Sequence, residues 1–206
     1  MLKKILFATD ASPVCEVAAK IAFEVAEKHG SELILLHVFA ELSRNKRAFA
    51  METATDVENE GDTDQGDRVK KEIQNTYDLF VQKHGVPEYE VMAGVPSTEI
   101  LRYARENKVD CIIMGGHAGQ NDPESKRFRG VVGSTVQKVA LCARCPVLII
   151  SRPCETCFWY FNQIIFGADF SKASMSAFQF AYKMADYIGC KLHLFHALNI
   201  ITSQAG

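Results

Sequence analysis

The chain has 206 residues, 48% hydrophobic and 23% charged, with a formal net charge of -2. That balance supplies a sizeable core for one to two domains and offers no global basic field for nucleic acid or an anionic membrane. No run approaches the ~18 apolar residues of a membrane span, and in MLKKILFATDAS Asp10 interrupts the apolar stretch before a signal-peptide core is complete, so a cytoplasmic protein is expected.

Short apolar runs alternate with helical patterns along the chain. KILFA (4 to 8) is followed by a helix from about Pro13 to His29, in which Val14, Val17, Ala18, Ile21, Ala22 and Val25 recur at helical spacing. Gly30 stands where a left-handed C-terminal cap belongs. Next come ELILLHVF (32 to 39), a helix from about Asp67 to His84, YEVMA (89 to 93), a helix from about Ser97 to Glu106, DCIIMG (110 to 115), a helix from about Thr135 to Leu141, and CPVLIIS (145 to 151). The alternation predicts right-handed βαβ crossovers and an α/β, doubly wound parallel sheet with helices on both faces. In such sheets ligands sit beyond the carboxyl ends of the strands, where the winding reverses. Asp10 and Gly115 both lie just past strand ends.

Between Ala48 and Asp67 the chain carries seven acidic residues (Glu52, Asp56, Glu58, Glu60, Asp62, Asp64, Asp67) and no Lys or Arg. The segment reads as a solvated, disordered connection into the second helix, with a partner-docking role as the alternative.

Residues 3–39 overlay residues 162–198 without a gap at an offset of 159, with 11 of 37 positions identical, Asp10/Asp169, Ser12/Ser171, Gly30/Gly189 and His37/His196 among them. The expected organisation is a complete domain over 1–152, a linker over 153–161, and a partial β-α-β repeat over 162–206. A unit of that size cannot bury enough surface to be stable alone.

Glycine clusters at 115, 116 and 119 and again at 130 and 133, around Lys126, Arg127 and Arg129. Ser134, with Gln137 three residues on, has the spacing of a capping box, which sets a helix start at Gly133-Ser134. The first N–H groups of a helix lack internal partners and lie at the positive end of its dipole, so they suit a phosphate. Glycine upstream removes the Cβ that would hinder close approach. Plain turn glycines are the alternative reading.

The seven cysteines include two CxxC pairs, Cys142/Cys145 and Cys154/Cys157, a spacing that zinc sites use. The strand between the pairs argues against one closed site, and reduced thiols are expected. His117 falls beside the proposed phosphates as a polar loop residue. His37 and His196 share a strand-end position that suggests a common hydrogen bond.

ILFATDAS, LLHVF, GVPSTEILRYARENKVDCIIMG, GSTV and CPVLII, in that order, resemble the characteristic blocks of the universal stress protein family. The resemblance covers residues 1–152 in full and 162–198 as a partial second copy. It implies a Rossmann-like five-stranded sheet and a homodimer or tandem pseudo-dimer. In one branch it implies ATP held by the pattern G-x2-G-x9-G-S/T, with Mg2+ bridging phosphates. Carried onto this sequence, Asp10 would contact the adenosine half and the Val38 backbone would meet adenine. Gly115, Gly116 and Gly119 would approach the phosphates, and Gly133, Ser134 and Thr135 would hold them at the helix start; the added stretch with Lys126, Arg127 and Arg129 would either lid the phosphates by charge-assisted contacts or displace the binding loop. The pattern is departed from in spacing, because 13 residues separate Gly119 from Gly133. No P-loop, catalytic base or nucleophile elbow is visible. The reading is an adenine-nucleotide-binding regulatory protein, with slow hydrolysis or self-phosphorylation at Ser134 or Thr135 the most turnover the resemblance implies. An interaction module without a nucleotide and a cysteine-based zinc or redox sensor are the alternatives.

Overall fold

A computed structural model describes residues 2–12, 15–39, 61–116, 133–150 and 163–198. The chain divides into two compact units, Met1–Glu155 and Thr156–Gly206. In the first, β1 (Lys4–Thr9), α1 (Glu16–His29), β2 (Glu32–Phe39), α2 (Gly61–Thr76), α3 (Asp78–His84), β3 (Glu88–Ala93), α4 (Pro96–Glu106), β4 (Cys111–Gly115), α5 (Ser134–Cys142) and β5 (Val147–Ile150) follow in chain order. The five strands form one parallel sheet in the order β3-β2-β1-β4-β5. This is the expected α/β doubly wound architecture. Its winding reverses between β1 and β4, the neighbouring strands that carry Asp10 and Gly115 at their carboxyl ends.

The near-continuous apolar runs of β1, β2 and β4 follow from this position. A central parallel strand is covered on both faces, so residues of both parities are buried. Leu6, Ala8, Ile34, Leu36, Ile112 and Met114 pack with Ile100, Tyr103 and Ala104 of α4 and Val136 and Val139 of α5. Residues of the other parity, Ile5, Phe7, Leu35 and Ile113, are equally buried. Against that second face lie α1, Tyr77 and α3, where Phe7 meets Tyr77 edge-on and Phe23 stacks on Phe80. α1 ends at Gly30, whose φ of 60° is the left-handed cap read from the sequence.

Three expectations differ in detail. The helix placed from about Asp67 to His84 begins at Gly61 and is interrupted at Tyr77, giving α2 and α3. Tyr77 leaves helical geometry (φ -106°, ψ 11°) because its side chain is fixed in the core by a 2.6 Å hydrogen bond between its hydroxyl and that of Thr9. The acidic connection is correspondingly shorter than expected: Asp62, Asp64 and Asp67 belong to α2, while residues 48–60 lie outside the described residues. The capping box is corrected as well. Gly133 is the N-cap of α5, Ser134 is its first helical residue, and no side chain bonds the cap; one residue of displacement moves the Ser134 hydroxyl off the capping position.

The second unit contains β6 (Gln163–Gly167), α6 (Lys172–Ile188) and β7 (Lys191–Phe195), with the two strands paired in parallel. Its local geometry matches that of β1-α1-β2. Gln163 pairs with Lys191 as Lys4 pairs with Glu32. Phe170 and Ala11 both adopt a left-handed backbone, φ 61° and 58°, and Gly189 caps α6 as Gly30 caps α1. His196 Nδ1 donates to the Ala168 carbonyl at 2.6 Å as His37 Nδ1 donates to that of Thr9 at 2.9 Å. The shared strand-end histidine is therefore a hydrogen-bond clamp in both units. Among the described residues, no helix is long and apolar enough to cross a membrane.

Candidate functional site

β1 delivers Thr9 and Asp10 to the switch point, and a close set of hydrogen bonds holds the turn that follows. The Thr9 hydroxyl accepts the Ala11 N–H at 3.0 Å, and its carbonyl receives His37 from β2. Ala11 is held at φ 58°, a left-handed conformation unusual for a residue with a Cβ. Asp10 Oδ1 accepts the Ser12 N–H at 3.0 Å and the Cys15 S–H at 3.1 Å. Burial alone would raise the Asp10 carboxyl, but the bonds from Ser12 and Cys15 outweigh it and hold the group below its ordinary value of 3.8. Burial, reinforced by the negative charge of Asp10, pushes the Cys15 thiol up. The pair is thus a carboxylate beside a protonated thiol.

Beyond the strand ends opens a cleft of about 210 Å³. Leu36, Val38, Ile100 and Met114 supply apolar lining, and Thr9, Asp10 and Cys15 supply a polar corner. Gly115, at the end of β4, lines it too, and Gly133, Ser134 and Thr135 bring the tip of α5 to it. Gly133 offers no capping side chain to the first turn of α5, so among the described residues no side chain caps the amides at the positive end of the helix dipole. An apolar slot with an acid at one corner and a helix tip bordering it can take a flat aromatic ring, hydroxyl donors and an anion together.

Of the residues read from the sequence, Asp10, Val38, Gly115, Gly133, Ser134 and Thr135 are brought together around this cleft. Gly116 is placed differently. It is buried, and its N–H donates to the Ile150 carbonyl at 2.7 Å, extending the β4–β5 pairing. His117, Gly119 and Arg129 lie outside the described residues, as do Cys154 and Cys157. Cys142 is exposed and Cys145 half-buried at the end of α5 and the start of β5; no cluster of metal-ligating side chains occurs among the described residues. Sequence reasoning missed Thr9, Cys15, Pro96, Ile100 and Met114 in the lining. A signal existed for Cys15, which lies five residues past Asp10 at the entry to α1, and for Pro96, which opens a helix after β3.

A protein-family model, the universal stress protein family, matches residues 1–151. Universal stress protein MJ0577 of Methanocaldococcus jannaschii is 29% identical over 161 residues, 74% of this chain and 96% of that protein. Its solved structure superposes with a TM-score of 0.57 over 75% of this chain and 99% of its own. Universal stress protein YxiE of Bacillus subtilis is 28% identical over 160 residues, 73% of this chain and 99% of its own. A universal stress protein from Archaeoglobus fulgidus, 20% identical, shares the fold with a TM-score of 0.67 over 98% of this chain and 68% of its own. On its strand order, its motif blocks and the match over residues 1–151, the chain belongs to the universal stress protein family.

Proposed function

We propose that the first unit binds an adenine nucleotide, with ATP as the ligand and Mg2+ accompanying it, and acts by binding and association rather than by turnover. The observation that carries this reading is that Asp10 and the side-chain-free cap of α5 border one apolar cleft at the switch point of the sheet. Leu36, Val38, Ile100 and Met114 would flank the base and Asp10 would accept from sugar hydroxyls. The first-turn amides of α5, reached past Gly133, would receive phosphate oxygens, with the Ser134 and Thr135 hydroxyls adding donors. The divalent ion supplies charge neutralisation between phosphates. His117, Gly119 and Arg129 complete the site in this reading from the segment between β4 and α5.

Residues 162–206 are read as a partial second copy of the same domain, with 1–152 the complete one and 153–161 the linker. The matched strand register, left-handed positions and histidine clamps support this. Association as a homodimer or tandem pseudo-dimer, in the cytoplasm, belongs to the same reading. Releasing and identifying small molecules from freshly purified protein, together with calorimetric titration of ATP and Mg2+, tests it. Recovered adenylate and saturable ATP binding are expected. No adenylate and no ATP binding would replace the reading with a nucleotide-free interaction module.

A further inference from the structure

We propose that Cys15 is a positioning residue for the nucleotide's sugar-base half: its S–H, with the Ser12 N–H, holds Asp10 Oδ1 so that Oδ2 is presented to the ligand. The inference rests on the adenine-nucleotide reading of the cleft. Among the described residues, the hydrogen bonds from Ser12 N at 3.0 Å and Cys15 Sγ at 3.1 Å converge on one oxygen of the carboxylate. A carboxylate has about four lone-pair sites over its two oxygens, so satisfying Oδ1 from within leaves Oδ2 as the ligand's acceptor. The thiol is itself fixed. It is 4% exposed, its own N–H donates to the Ser12 carbonyl at 2.9 Å, and it lines the cleft beside Asp10.

Ionisation would turn this attraction into repulsion, and burial next to Asp10 keeps the thiol protonated. Its chemistry here is that of a hydrogen-bond donor and not of a nucleophile. The second unit offers an internal comparison. Ser174 stands at the corresponding position, Ser171 N–H donates to Asp169 Oδ1 at 2.9 Å, and the Ser174 hydroxyl lies 3.3 Å from the Asp169 N–H, which it accepts. A small side chain capable of hydrogen bonding follows the aspartate by five residues in both units.

The test uses the full 206-residue chain with Cys15→Ala, Cys15→Val and Cys15→Ser. Alanine leaves a small cavity and valine overfills the site, and both lack a donor, so a change shared by the two tracks the lost bond rather than the packing. ATP with Mg2+ is titrated by calorimetry, melting is followed without ligand, and the Asp10 side-chain carboxyl is titrated by 13C NMR in the unliganded protein. Cys15→Ala and Cys15→Val are expected to weaken ATP about three- to tenfold and to move the Asp10 midpoint upward. Cys15→Ser is expected to restore both. Wild-type affinity in the donor-less variants overturns the inference, as does a Cys15→Ser protein that behaves like Cys15→Ala. If the wild-type protein itself does not bind ATP, the functional reading fails. The Asp10 titration then decides the geometric claim alone, and an unmoved midpoint in Cys15→Ala and Cys15→Val overturns it.

Discussion

β1-α1-β2 and β6-α6-β7 share strand register, helix caps, the left-handed residue after the aspartate and the histidine clamp, yet their apolar side chains stand in opposite surroundings. Leu35 is 0% exposed while its counterpart Leu194 is 64% exposed, and Phe23 is 2% exposed while its counterpart Tyr182 is 59% exposed. In the first unit β1 lies between β2 and β4, and helices from later in the chain cover the sheet. In the second unit the described sheet has two strands, and a two-stranded sheet is marginal by itself. Hydrogen-bonded turns and caps are therefore set locally, whereas burial is supplied by distant segments. The aspartates follow the same division. Each accepts a backbone N–H from two residues on, but Asp10 shares its cleft with the α5 tip. The described depression at Asp169 is lined by Gly167, Ser171, Ala177 and Phe195 among others, all from within β6-α6-β7 and its flanking residues.

The largest expected effect breaks the comparison at the core. Leu35→Ala should cost about 2–5 kcal/mol in denaturant unfolding, and Leu194→Ala should stay within about 0.5 kcal/mol. Equal losses would mean that the two sheets are covered alike. Next, Asp10→Asn should weaken ATP about tenfold or more by calorimetry, while Asp169→Asn leaves the affinity unchanged. An equal loss in both variants would place nucleotide chemistry in the second unit as well. Gly30→Ala and Gly189→Ala sharpen the similarity rather than the difference, since both glycines have positive φ. Each should destabilise its own unit by about 1 kcal/mol, read by hydrogen exchange within that unit.

The smallest effect concerns pH. Asp10 is held below its ordinary value of 3.8, so the stability it contributes is fully present above that value and is lost as pH falls through the folded value. Asp10→Asn should therefore melt below wild type near neutrality, with the gap closing as pH falls below about 3.8. Asp169 is also lowered, chiefly by its bonds to Ser171, but its exposure makes the corresponding gap smaller by solvent screening. A constant gap for Asp10→Asn would show that the charge of the group does not contribute.

Much of the fold was legible because buried parallel strands and amphipathic helices leave periodic apolar patterns, and because Gly30 and Gly189 mark positions where the backbone must turn left-handed. Asp10 and the α5 tip were legible for a related reason. Strand ends and helix starts are local events, and doubly wound topology fixes where they converge. Tyr77 was not legible as a helix interruption: its bond to Thr9 spans 68 positions, and no local pattern records such a partner. Ser134 stands one residue away from the role its spacing suggests: Ser134 and Gln137 match a capping box, but the helix takes Gly133 as its N-cap, which puts Val136 rather than Gln137 at the third helical position. Gly116 was grouped with the ligand-facing glycines because spacing alone does not reveal that its N–H is taken by Ile150.

The sequence by itself determined the alternation of strands and helices and the positions where an acid and a helix start would stand beyond strand ends, because each depends on residues within a few positions of one another. Tertiary structure alone decided the rest: that Ile100 and Met114 wall the same cleft as Asp10, that Cys15 and Ser12 occupy one oxygen of its carboxylate, and that Gly116 is spent on the sheet. Such contacts depend on where separate elements stop against each other in space, and side-chain packing at that distance leaves no periodic trace in the chain.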